Sequence, residues 1–162
     1  MLDESLRPSP EAEAVLRWAG WTPDRQVDTT AWVQELRADG NTVFPIAEAI
    51  MRSYGGIRLE HRGFGGRSVH DMDVNPYAWI RDREHIELVE EVLDVRVCPL
   101  GETAGAAMLA ICEDGRVISE MDGSVLLIGQ DWPAAMDHVI LHRGEVIRLA
   151  EDYEPLDPPH PA

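Results

Sequence analysis

Lysine is missing from this sequence altogether. All fourteen basic residues are arginine, which reads as codon usage in a GC-rich genome rather than as chemistry. Positive charge is scarce too: the fourteen arginines stand against thirty aspartates and glutamates, for a formal net charge of −16. A chain so poor in clustered cations is not equipped to hold phosphate, so neither nucleic acid nor an anionic membrane is expected as a partner. Cysteine is nearly absent. Cys98 and Cys112 are the only two, they form no C-x-x-C pair, and both lie in apolar segments. Buried, reduced thiols are the expected state, with a disulfide the alternative, and a cysteine-based zinc site would need more of them. Long apolar runs are missing as well. A membrane helix needs roughly 18 to 20 apolar residues, whereas the apolar runs here, such as Val125 to Ile128, are strand-sized. The N-terminus carries Asp3 and Glu4 without the apolar stretch of a secretory signal, so a cytoplasmic location is expected.

What is present suits one ordinary domain. The 162 residues are 44% hydrophobic, enough to bury a core and too many for wholesale disorder. Residues 1–8 read as a loose N-terminus, 9–150 as the domain, and the Pro-rich 151–162 as a tail without structure of its own. A first helix starts at Ser9, an N-cap before Pro10, with Ala12, Val15, Leu16 and Trp18 on its apolar side and Gly20 as its stop. A second is capped near Asp28 and carries Trp32, Val33 and Leu36, and a third runs from Pro45 to Ser53. Strand patterns follow at 57–61 and at 69–74, where Val69, Asp71 and Asp73 share one face. Arg83 to Leu93 returns to helix, with Ile86, Val89 and Leu93 inward and Glu84, Glu87, Glu90 and Glu91 outward. Strands at 95–98, 108–112, 116–121 and 125–128 come next, the middle two joined by the hairpin signal Asp114-Gly115. A last helix, capped by Asp131, runs from Trp132 to His142. The fold class is α+β: a mostly antiparallel sheet flanked by N-terminal, middle and C-terminal helices.

Few residues suggest chemistry. His138 and His142 have the four-residue spacing of metal ligands on a helix, and His61, His70 and Asp73 could approach them through the fold. The glutamate of an H-E-x-x-H motif is absent, because Val139 follows His138. The plainer reading places His142 at the negative end of a helix and leaves His138 half-exposed. The carboxylates around His70 resemble an acid–base cluster only as any acidic chain does by chance. Gly63-Phe64-Gly65-Gly66-Arg67 lacks a P-loop ending and reads as a hairpin connection, with Phe64 at its tip. The tryptophans Trp18, Trp21, Trp32, Trp79 and Trp132 read as packing residues at element ends, Trp79 being the one in a less regular segment.

An ordered series of short motifs carries a resemblance. Gly20-Trp21-Thr22-Pro23-Asp24-Arg25 is followed by a helix closing on Tyr54-Gly55-Gly56-Ile57, then Pro99-Leu100-Gly101, Asp114-Gly115-Arg116-Val117, Ile128-Gly129 and a final helix ending at Gly144. Taken in order, the series resembles the third family of the SUKH superfamily, the bacterial immunity proteins, over about residues 15 to 145. The resemblance implies a single α+β domain with no catalytic activity and no cofactor. It also implies a protein partner, since such proteins are encoded beside polymorphic toxins, often nucleases or deaminases, and protect the producing cell by binding the toxin domain. The motif glycines and Trp21 read as structural.

Charge and resemblance together give a specific expectation. Asp71, Asp73, Glu84, Glu87, Glu90 and Glu91 would steer and hold a basic toxin surface, while Phe64, Tyr77 or Trp79 would supply the buried anchor that affinity requires. Two other readings stand beside it. One is a regulatory or scaffolding interaction domain without a toxin; the other is a metal-dependent hydrolase built around His138, His142 and the Asp71/Asp73 strand. The oligomeric state is not legible.

Overall fold

Helices fill the first third of the chain because each has a start, a stop and one apolar face. The structure, a computed structural model, describes residues 2–62 and 68–162, with the side chains at 61, 62 and 68–71 left out of that description. Helix α1 (Pro10–Trp18) begins at Ser9, whose Oγ accepts the Ala12 N–H at 3.3 Å and donates to the Asp137 carboxylate. It ends where Gly20 turns into the left-handed region and the Trp21 N–H reaches back to the Leu16 carbonyl. Helices α2 (Thr30–Ala38) and α3 (Pro45–Tyr54) follow. Asp28 accepts the Thr30 N–H at 3.0 Å before α2, and Pro45 opens α3.

Eight strands then form one antiparallel sheet whose spatial order is the sequence order. They are β1 (Arg58–Arg62), β2 (Ser68–Asp73), β3 (Val97–Thr103), β4 (Ala107–Cys112), β5 (Val117–Met121), β6 (Ser124–Gly129), β7 (Ile147–Glu151) and β8 (Glu154–Pro161). Helix α4 (Arg83–Leu93) is inserted between β2 and β3, and α5 (Trp132–Leu141) between β6 and β7.

The sheet is covered on both faces. Strand β4 shows why: all six of its residues are buried, and with side chains alternating between faces each face must meet a separate apolar layer. Leu109 and Ile111 join the larger core, built on Leu16, Trp21, Leu36, Ile50, Tyr54, Val117 and Trp132 from the helices α1, α2, α3 and α5 and their neighbours. Tyr54 is its centre. Trp21 stacks on it at 5.4 Å, Trp132 meets it edge-on at 5.1 Å, and its hydroxyl donates to the Leu6 carbonyl at 2.6 Å. Met108, Ala110 and Cys112 face the opposite way, under Ile86 and Val89 of α4. Each of the larger side chains here, such as Met108, Ile86 and Val89, contributes about 1.5–3 kcal/mol by its full burial. The two thiols follow this division: Cys98 lies in the first core and Cys112 in the second, both free. Burial pushes each thiol up to about 12.

Several expectations need correction. The C-terminal segment is not a structureless tail, because Glu154–Pro161 forms β8 and pairs with β7. Prolines are compatible with this since β8 is an edge strand, paired on one side only. The first residues are not loose either. Leu2 and Leu6 are buried, and Glu4–Leu6 makes a 3-10 turn. Trp18 does not belong to the apolar side of α1; it is 93% exposed. The strand expected at 95–98 runs instead from Val97 to Thr103, passing Pro99 with a bulge that leaves Leu100 unpaired in the register. A second bulge skips Asp71, since Leu59 pairs with Met72 and Glu60 with His70, so the simple alternation read for 69–74 breaks there.

Candidate interaction surface

Helix α4 lies on the sheet face opposite the other four helices, and its sequence divides cleanly between inside and outside. Ile86 and Val89 are buried against the sheet. Glu84, Glu87, Leu88 and Glu91 are its exposed residues beyond the first turn's boundary positions. Glu90 is a correction to the outward set of glutamates. Its side chain turns in, with one oxygen 2.6 Å from Arg83 Nη2 and the other accepting the Val97 N–H at 3.0 Å. It therefore ties the helix to the start of β3. The same hydrogen bond, ahead of every other influence, raises Arg83 still further above its ordinary value. Arg83 also donates to Glu87 at 3.2 Å and to the Asn41 side-chain Oδ1 at 3.2 Å.

Beside the helix runs an open groove of about 490 Å³, lined by Glu87, Glu90, Glu91, Asp94, Val95, Arg96 and Glu113. Among the described residues, the carboxylates of Glu84, Glu91, Asp94 and Glu113 have no ion-pair partner. Asp73 belongs to the same side of the molecule. The register places it beside Glu102, Glu102 beside Met108, and Met108 beside Glu120, and paired residues in an antiparallel ladder point to one face. Since Met108 packs under α4, that face is the α4 face. The structure thus brings Asp73, Glu84, Glu87 and Glu91 to one side. The Asp71 side chain lies outside the described residues.

One carboxylate in that row is used internally. Glu120 is 1% exposed, a costly place for a charge without partners. His85 Nε2 stands 2.6 Å from one of its oxygens and the Gly123 N–H donates to the other at 2.8 Å. The remaining ring nitrogen of His85 lies 3.2 Å from the Tyr153 hydroxyl, and Trp79 stacks on the ring at 5.7 Å. Burial first, and the negative charge of Glu120 second, hold the Tyr153 phenol above its ordinary value. This chain links α4, the β5–β6 turn and the β7–β8 turn. Sequence reasoning missed it, because no spacing rule connects residues 85, 120 and 153.

The three anchor candidates fare differently. Trp79 is committed to the fold: its indole N–H donates to the Gly101 carbonyl at 2.8 Å and its ring covers His85. Tyr77 is 51% exposed but leans edge-on against Trp32 of α2, at 6.4 Å. Phe64 and the glycine-rich loop fall outside the described residues. Leu88, not singled out from the sequence, is 44% exposed among the α4 glutamates. A helical wheel would have found it, since it stands four residues after Glu84 and three before Glu91.

The histidine pair does not assemble further among the described residues, and the side chains of His61 and His70 lie outside them. His138 is half-buried on α5 and His142 is the exposed left-handed C-cap. Burial first, then the neighbouring His142, lower the His138 value. Among the described residues no group of three or more His, Cys, Asp or Glu side chains is placed to hold a metal ion. No helix among them is long and apolar enough to cross a membrane.

The motif residues of the N-terminal half are structural. Trp21 is fully buried, and Arg25 Nη2 donates to the Gly55 carbonyl at 2.7 Å where α3 ends. Compared with known families, residues 8–142 match the family model described as SUKH-3 immunity protein. No curated protein and no solved structure matches the chain.

Proposed function

The chain belongs to the SUKH-3 family of immunity proteins, and from that premise we propose that it neutralises a bacterial toxin by binding alone. The partner in this reading is a basic toxin domain, of the kind that works on nucleic acid, met by the acidic side that carries α4. The observation that carries it is the concentration there of carboxylates without an ion-pair partner among the described residues: Glu84, Glu91, Asp94 and Glu113, with Glu87 paired only with Arg83 and Arg96 the one cation lining the groove. A surface of one sign speeds encounter with the opposite sign and suppresses other partners. No metal or cofactor takes part. The protein acts in the cytoplasm of the producing cell, where its own toxin would otherwise be harmful.

A direct test is capture of the C-terminal domain encoded by the adjacent upstream gene, using the tagged full chain at low and moderate salt. One-to-one capture that weakens with salt, together with suppression of that domain's toxicity, supports the reading. Folded protein that captures nothing and leaves toxicity unchanged refutes it.

A further inference from the structure

We infer that Leu88 is the anchor of the toxin-binding surface, entering an apolar recess bordered by Lys or Arg on the partner. This rests on the proposed immunity role and adds which side chain holds the complex together.

Charge alone gives a fast encounter and little grip, because exposed carboxylates keep most of their hydration and are screened by salt. Tight interfaces depend instead on a few apolar or aromatic groups that leave water completely, surrounded by a ring that excludes solvent. Such a group on a basic partner's site must sit among acidic neighbours. The exposed large apolar side chains of the described residues are Val15, Trp18, Tyr77, Leu88 and Met121. Val15 and Trp18 stand on α1, whose arginine Arg17 and nearby Arg143 are already balanced by Glu13 and Glu11, so that face carries no complementarity to a basic surface. Tyr77 rests against Trp32, and Met121, next to Glu120 in β5, points to the sheet face opposite α4. Leu88 lies on an outer face whose other exposed positions, Glu84, Glu87 and Glu91, are all acidic, and the acidic groove runs along the side of the helix beyond Glu87 and Glu91.

Leu88 has no part in the core. The inward side of α4 is supplied by Ile86 and Val89, and neither apolar core includes Leu88. An isolated exposed leucine needs no explanation on a mixed surface; one framed by carboxylates matches a basic partner in both chemistry and position.

The experiment measures association and dissociation rates of the full chain with the C-terminal domain encoded by the adjacent upstream gene. The variants are L88A, L88R, the triple E84Q/E87Q/E91Q, and W18A. Because Leu88 is half out of the fold, circular dichroism of L88A is expected to match the parent protein. L88A should dissociate about tenfold to thirtyfold faster with association within about twofold, the signature of a lost anchor. The triple variant should do the reverse, associating about tenfold more slowly at low salt. L88R should abolish measurable binding. If the parent protein binds and L88A is within about twofold in both rates, the anchor assignment is wrong while the immunity reading survives. If W18A is the variant that loosens the complex, the partner sits on α1 and the assignment is likewise wrong. If the parent protein itself does not bind, the immunity reading fails first and the anchor falls with it.

Discussion

Replacing His85 with leucine would strand the Glu120 carboxylate. In the native arrangement its two oxygens are met by His85 Nε2 at 2.6 Å and the Gly123 N–H at 2.8 Å, at a residue 1% exposed. Removing the imidazole takes away one charge-assisted hydrogen bond, worth about 1.5–3 kcal/mol, and leaves part of a buried charge without compensation. Breaking a fully enclosed charged pair from one side costs about 3–5 kcal/mol, an upper bound here because the imidazole carries a charge only when protonated. The His85 side chain is 21% exposed, so water can partly repair the loss, and about 3 kcal/mol is the reasonable central value. For a chain of this length that corresponds to a fall in Tm of roughly 6–12 °C. The decisive comparison is the double variant H85L/E120L. With the carboxylate and its partner both replaced by apolar groups, the stranded carboxylate disappears and only the Gly123 N–H is left without its acceptor, so the double variant should be about 1 kcal/mol more stable than H85L alone. Urea unfolding at neutral pH, followed by tryptophan fluorescence, supplies both values. The reasoning fails if H85L costs under about 0.5 kcal/mol, or if the double variant shows the plain sum of two independent losses.

Two further outcomes are expected. G101A should lower stability by about 3 kcal/mol in the same assay, because a Cβ at Gly101 would lie 1.9 Å from the Asp73 carbonyl oxygen, with backbone on both sides of the clash; unchanged stability would mean that β2 and β3 separate freely there. On raising the pH, stability should fall progressively above about pH 9. Cys98 and Cys112 are held up to about 12, and Tyr54 and Tyr153 are raised as well. Groups raised on folding contribute fully below their unfolded values and lose that contribution as the pH climbs through the folded ones. The matching chemical readout is thiol labelling, which should be negligible in native protein at neutral pH and complete in urea.

Where local chemistry governs, the sequence was readable. Ser9 and Asp131 accept the N–H groups three residues on, as N-caps do, and Asp114-Gly115 turns the β4–β5 hairpin. The uninterrupted apolar run of β4 was read only as one arm of a hairpin, although such a run also fits the strand covered on both sides that the structure shows. What stayed hidden depends on contacts between distant segments. Glu90 looked outward by its charge, yet its long side chain reaches the Val97 N–H across the helix end. Trp79 looked available because its segment is irregular, and only the fold places the Gly101 carbonyl beside its indole. Trp18 looked like packing because it is large, but α1 ends with it pointing into solvent. The acidic surface was legible as composition; which carboxylates share a side required the strand register.

The β7–β8 hairpin lies beyond residue 142, where the family match ends. It caps β6, whose Ser124–Gly129 stretch is almost wholly apolar and would otherwise offer its backbone to any passing strand. The new border it creates is β8, in which four of eight residues are proline. A strand trying to add there meets a ladder with missing rungs. The segment that composition alone marks as a tail without structure of its own is thus a terminator: as β8 it gives this sheet an edge that is hard to extend.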